Sequence, residues 1–174
     1  WARDERGAEI KGNPARHLRV RGTGDARAPF FTDQDEKRLL YELSQMSNKN
    51  HLRLTKLALA TGFRRSELLS LTWKNIDLNK KLLYIYRKKC AAINNSSGMR
   101  LVPFPEKAQK ILEELQRRDG KVIELSKGSA RHGFDKARKK AGLDTLRFHD
   151  QRHIAISRMW RCGMNALEIS ACSG

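Results

Sequence analysis

Thr61-Gly62-Phe63-Arg64-Arg65-Ser66-Glu67-Leu68 reads as a helix stop, a tight turn and a fresh helix start. Upstream, residues 49–61 place Leu54, Leu57, Ala58 and Thr61 on one helical face, and Gly62 suits the left-handed residue that ends such a helix. Downstream, Ser66 is a capping residue for a short helix over Glu67-Leu68-Leu69-Ser70-Leu71. An arginine fixed on so short a turn can aim its planar fork at a phosphate, which lysine does less well. Taken alone, Arg64 and Arg65 read just as well as solvated loop charges.

Working outward, Thr32 or Asp33 caps a helix whose buried stripe is Leu39, Leu40 and Leu43, with Asp33, Asp35 and Glu36 at its positive end. Trp73 to Asp77 closes the unit after the central turn, and Asn79-Lys80-Lys81 is turn-like. Leu82-Leu83-Tyr84-Ile85-Tyr86 and Met99-Arg100-Leu101-Val102-Pro103-Phe104 have strand composition and form a hairpin with a long, basic tip. That tip, from Arg87 to Gly98, is expected to be mobile without a polyanion. Helices follow over 105–118, with Pro105 at its first position, then 129–141, 149–162 and 166–171, with stops at Gly142 and Gly163 and a cap at Asn165. Helices, one hairpin or small sheet, then helices again make an α+β, mostly α fold with no βαβ repeat.

Charge narrows the function. Thirty-six Lys and Arg against 19 Asp and Glu leave +17, a surplus that repels itself unless a polyanion screens it. Nucleic acid is the first partner to consider and an anionic membrane surface the second. No apolar run approaches the ~18 residues of a membrane span, and Trp1-Ala2-Arg3-Asp4-Glu5-Arg6 has no secretory character. Cys90, Cys162 and Cys172 form neither a CxxC pair nor an even disulfide framework, so a reducing compartment is expected. No P-loop, GxGxxG, GxSxG or HExxH is present, which leaves nucleotide-driven and zincin chemistry without support and implies no cofactor.

A second motif, His149-Asp150-Gln151-Arg152-His153, opens one of the later helices. The i, i+3 spacing sets His149 beside Arg152, with His153 adjacent. Such a pair can exchange a proton with a phosphate oxygen while the arginine neutralises its charge. His149 and His153 also have zinc-ligand spacing, but Arg152 between them would repel a dication, so no metal is assigned.

Taken in order, the arginine turn, the basic hairpin and the HxxRH helix resemble the catalytic domain of the tyrosine recombinase, or phage integrase, family. The resemblance covers 30–174 and includes Trp73, Ile76-Asp77, Arg100 with Val102-Pro103, and Gly163. It implies a helical DNA breaking-rejoining domain in which Arg64 and Arg152 grip the scissile phosphate beside His149. Lys88 would be the hairpin lysine that protonates the leaving 5′ oxygen, with Lys89 the alternative, and Glu67 would support the first arginine. Arg65, Lys89, Arg100 and His153 are the expected further DNA contacts. The implied partner is double-stranded DNA rather than a membrane, with a tetramer on paired sites in the intact protein and a monomer for this chain alone.

The family nucleophile is a tyrosine C-terminal to the second motif, where this sequence has none; Tyr41, Tyr84 and Tyr86 all lie earlier. The chain, which opens on Trp1 rather than Met, is therefore expected to be an inactive piece of a longer enzyme. Residues 1–29, rich in glycine and arginine, resemble the tail of a preceding DNA-clamping domain and its linker. The cytoplasm, on the nucleoid, is the implied location. The rival class is a basic DNA- or RNA-binding module without chemistry. It accounts for the charge but gives Arg64, His149 and Arg152 no joint purpose. A type IB topoisomerase, sharing the architecture, is disfavoured by the short chain and the integrase-like motifs.

Overall fold

A computed structural model describes residues 31–86, 99–115 and 119–173. Helix α1 (Asp33–Ser44) starts at Thr32, whose Oγ1 accepts from Asp35 N at 3.1 Å while Asp35 Oδ2 accepts from Thr32 N at 2.9 Å. Those Thr32 donors and the Arg38 guanidinium hold the Asp35 carboxyl down at about 2. Helix α2 (Asn50–Thr61) runs through the middle of the molecule. Its Leu54, Leu57 and Ala58 join one apolar cluster and Leu59 another, so neither long side faces water. Gly62 ends it at φ 68 and is needed twice over, because a Cβ there would also sit 3.3 Å from Ala155 Cβ.

The helix after the turn departs from the sequence reading. Helix α3 (Arg65–Ser70) begins at Arg64, not at Ser66, and its cap is the Glu67 carboxylate, whose Oε2 accepts from Arg64 N at 2.9 Å. A single 3₁₀ turn, Trp73–Asn75, leads into β1 (Ile76–Asp77). This two-residue strand went unpredicted because it is too short to show alternation. It pairs with β2 (Leu82–Tyr86), and β2 pairs with β3 (Met99–Pro103), giving an antiparallel sheet of order β1-β2-β3. Leu83, Ile85 and Val102 turn one face of the sheet into the larger apolar cluster. The hairpin tip and its expected mobility lie outside the described residues, as do 1–29.

Helix α4 (Glu106–Glu113) takes Pro105 as its cap rather than its first residue, and it ends before the 118 expected. Helix α5 (Lys127–Lys140) starts two residues earlier than expected, because Ser126 Oγ accepts from Ser129 N at 3.0 Å. Helices α6 (Asp150–Arg161) and α7 (Ala166–Ser173) complete the chain, with Asn165 Oδ1 capping α7 as the sequence implied. The second cluster joins α1, α5 and α6 through Leu39, Leu43, Phe134, Ala137 and Ile154. Arg158 of α6 closes the same side by ion pairing with Glu36 of α1. The architecture is mostly helical with a small antiparallel sheet, and no described helix is long and apolar enough to cross a membrane.

Candidate phosphate site

Between α2 and α3 the chain turns through Gly62, buries Phe63 and presents Arg64 in an extended conformation at φ −66, ψ 143. The Arg64 side chain is 47% exposed, and its guanidinium lies 3.4 Å from Glu67 Oε1. Glu67 itself is 9% exposed. One carboxylate thus fixes both the backbone and the side chain of Arg64.

The second motif comes to the same place from the other side. Arg152, in the first turn of α6, donates through Nη1 to the Gly62 carbonyl at 2.8 Å and to the Ser173 carbonyl at 2.5 Å. The first of these bonds crosses 90 positions of sequence to reach a residue two before Arg64. His149 stands at the cap of α6, its ring edge-on to that of His153 with centroids 5.3 Å apart. Desolvation on its inner side holds the His149 imidazole below its ordinary value, although the residue as a whole is exposed. The charges of His153 and Arg152 push it the same way, and Arg64 does so least, against an opposite pull from Asp150 that exceeds the Arg64 share. Arg152 and, more weakly, Arg64 thus act on one histidine, and cations that act on an imidazole suit that region to an oxyanion.

Arg64, Arg65 and His149 line an open cleft of roughly 930 Å³ together with Lys127, Arg131 and Arg147 and the acids Asp135 and Asp144, whereas Arg152 is not part of its lining. Arg65 lies over the Phe148 ring, 5.5 Å from its centroid, and Phe148 meets Phe134 edge-on at 5.2 Å. That aromatic floor gives the cationic rim a rigid base. Of the wall residues, Lys127 and Arg131 come from the basic stretch of α5, one helical turn apart. Arg147, just before α6, was not singled out by sequence. Its backbone N–H donates to Asp150 Oδ2 at 2.7 Å, and an acid three residues on was the available signal.

Arg100 is not where a DNA contact was expected. Its side chain is 12% exposed, 3.3 Å from Glu67 Oε2 and 5.3 Å from the Phe63 ring centroid. The sequence carried the sign of this: strand alternation sets Arg100 on the same face as the buried Val102. His153 is exposed beside His149. Lys88 and Lys89 lie outside the described residues. Tyr41 borders a separate shallow hollow with Lys37, Arg38 and Lys140, and Tyr84 pairs with Leu101 inside the sheet. Among the described residues, no three His, Cys, Asp or Glu side chains gather as a metal ion would need.

Residues 29–174 match the model of the phage integrase family. A shufflon-specific DNA recombinase of Escherichia coli is 31% identical over 167 residues, covering 93% of this chain and 41% of the relative. The integrase of Salmonella phage P22 is 25% identical over 165 residues, covering 84% of this chain and again 41% of the relative. The chain thus spans about two fifths of the length of these relatives. Among solved structures, the catalytic domain of bacteriophage HP1 integrase has this fold with a TM-score of 0.65 at 23% identity, covering 82% of this chain and 78% of that one. The lambda integrase catalytic core also gives 0.65, at 19% identity, covering 82% of this chain and 90% of that one. The chain belongs to the phage integrase family.

Proposed function

We propose that residues 30–174 form the catalytic domain of a site-specific DNA recombinase, with 1–29 as the tail of a DNA-clamping domain and its linker. The observation that carries this reading is the Arg152-to-Gly62 hydrogen bond, which ties the second motif to the turn bearing Arg64. In the reaction, a tyrosine oxygen attacks the scissile phosphorus, the bond from phosphorus to the 5′ oxygen breaks, and that oxygen takes a proton. A 3′-phosphotyrosine keeps the ester energy, so rejoining by attack of a 5′ hydroxyl needs no nucleotide. Arg64 and Arg152 neutralise the charge that builds on the phosphoryl oxygens, and His149 supplies a hydrogen bond or proton to the same group. Lys88, or Lys89, is assigned as the acid toward the leaving oxygen.

The basic cleft supports duplex DNA as the partner, since Lys127, Arg131 and Arg147 add positive charge to the lining that Arg64 and His149 share. Tyr41, Tyr84 and Tyr86 lie on α1 and β2, ahead of the second motif, and the family resemblance puts the nucleophile after that motif. A tetramer on paired sites fits strand exchange between two duplexes.

The test is a nicked duplex carrying the target site, incubated with the intact protein and resolved under denaturing conditions. A covalent protein–DNA band that is lost in Arg64→Met and in Arg152→Met is expected. Residues 1–174 alone are expected to bind duplex DNA weakly, with a steep salt dependence, and to give no such band. A band from this chain would move the nucleophile to Tyr41, Tyr84 or Tyr86. An intact protein that binds its site and never cleaves it would make this a binding module.

A further inference from the structure

We infer that Phe148 is a positioning residue that seats the Arg65 guanidinium in the cleft without cancelling its charge, so that Arg65 anchors a DNA phosphate; this rests on the reading of the cleft as a duplex-binding surface. The cleft arginines are seated in two ways. Arg131 and Arg138 of α5 share the Asp135 carboxylate, at 3.7 and 2.8 Å, and Arg64 meets Glu67 at 3.4 Å. A carboxylate seat takes up N–H donors and subtracts a charge from the surface that a phosphate would approach. Arg65 has an aromatic ring in that place, its guanidinium carbon 5.5 Å from the Phe148 centroid. Neither acid of the lining, Asp135 or Asp144, pairs with it, and no other acid among the described residues does. A ring face attracts a cation through its quadrupole and carries no net charge. The guanidinium is thereby located while its whole positive charge stays in the cleft.

The seat is itself fixed. Phe148 packs against both apolar clusters and meets the buried Phe134 edge-on, the two rings inclined at 69°. Its backbone is held as well, because the Phe148 carbonyl accepts from Gln151 N at 3.3 Å and the side chain of Leu146, two residues before it, is buried. Arg65 is the first residue of α3, and Phe148 directly precedes His149. The ring therefore ties the first motif to the second by a contact separate from the Arg152-to-Gly62 bond.

The experiment measures binding of a 20-base-pair duplex by this chain, by fluorescence anisotropy at several salt concentrations, with thermal melting as the fold check. Arg65→Met is expected to weaken binding about tenfold and to lower the salt slope by about one. Phe148 is then replaced by phenylalanines carrying one, two and three ring fluorines, which keep its shape and drain charge from its face. Affinity is expected to fall stepwise, to about threefold at three fluorines, with the salt slope and the melting temperature unchanged. Phe148→Leu, where it folds, should match the trifluorinated ring. In the Arg65→Met background neither change is expected to add anything. A flat series beside a weakened Arg65→Met overturns this inference alone. So does an affinity that rises with fluorination, because the ring would then compete with DNA for Arg65. A loss that persists in Arg65→Met overturns it too, since Phe148 would act through another residue. Wild-type affinity and slope in Arg65→Met, beside weakened Arg64→Met and Lys127→Met, removes Arg65 as an anchor and leaves the cleft reading standing. Wild-type binding by all three overturns the cleft reading and this inference with it.

Discussion

Arg64 and Arg152 stand at the starts of two helices and act on the same histidine, yet they are held by opposite means. Arg64 is held by a carboxylate, and Arg152 by the backbone carbonyls of Gly62 and Ser173. A carboxylate brings a charge that must be balanced, and Glu67 also meets Arg100 at 3.3 Å. A carbonyl brings only a dipole, and no side-chain substitution can delete it. The first grip is therefore adjustable by mutation and the second is open to attack only through backbone shape.

Glu67→Gln tests the adjustable grip most severely. It strips Arg100 of its carboxylate in a nearly buried setting, for an expected loss of about 3 kcal/mol of stability by denaturant unfolding. A loss near zero would mean that Glu67 is solvated and that the asymmetry between the two grips is false. Gly62→Ala tests the backbone grip. A side chain at φ 68, pressed to 3.3 Å from Ala155 Cβ, is expected to cost about 2 kcal/mol and to weaken DNA binding as the Arg152 acceptor shifts. Unchanged binding in a folded Gly62→Ala would show that Arg152 does not depend on that carbonyl.

Thr32→Ala sets the baseline away from both grips. Loss of the α1 cap is expected to cost about 1 kcal/mol and to leave DNA affinity alone. A fall in affinity would show that the two ends of the molecule are coupled. The smallest expected effect is that of pH. Burial lowers His51, and desolvation with neighbouring cations lowers His149, both from an ordinary value of 6.5. Above 6.5 both are neutral in either state. As pH falls below it, the unfolded chain takes up protons that the folded chain resists, so stability declines. DNA affinity is expected to move the opposite way, because a protonated His149 adds a cation to the site. His149→Gln should abolish the affinity change and leave the His51 share of the stability change, read by melting between pH 7 and 5.

Much of this arrangement was legible in the sequence, and the failures share a cause. The end of α2 could be read because a glycine after an apolar helical stripe has one common explanation. The pairing of Arg64 with the HxxRH motif came from family resemblance, since neither motif alone rises above a solvated charge. Ser66 is a usual capping type, yet the acid three residues into α3, Glu67, does the capping, and a capping carboxylate at that offset leaves a weaker mark than a serine at the helix start. Arg100, expected as a DNA contact, is largely buried against Glu67, and strand alternation beside Val102 carries the sign of that burial. β1 has no periodicity to read, being fixed by its pairing with Leu82 and Leu83.

The central place of α2 has a consequence for amide exchange. Local openings release the pieces with the least burial first, and α2 has apolar clusters on both sides. Its amides should be among the last to exchange, and the Gly62 carbonyl belongs to its final turn. One of the two Arg152 acceptors is thus hung from a helix expected to open late. The fraying of α1 or of the exposed turns of α7 can come and go on short timescales while that acceptor stays in place.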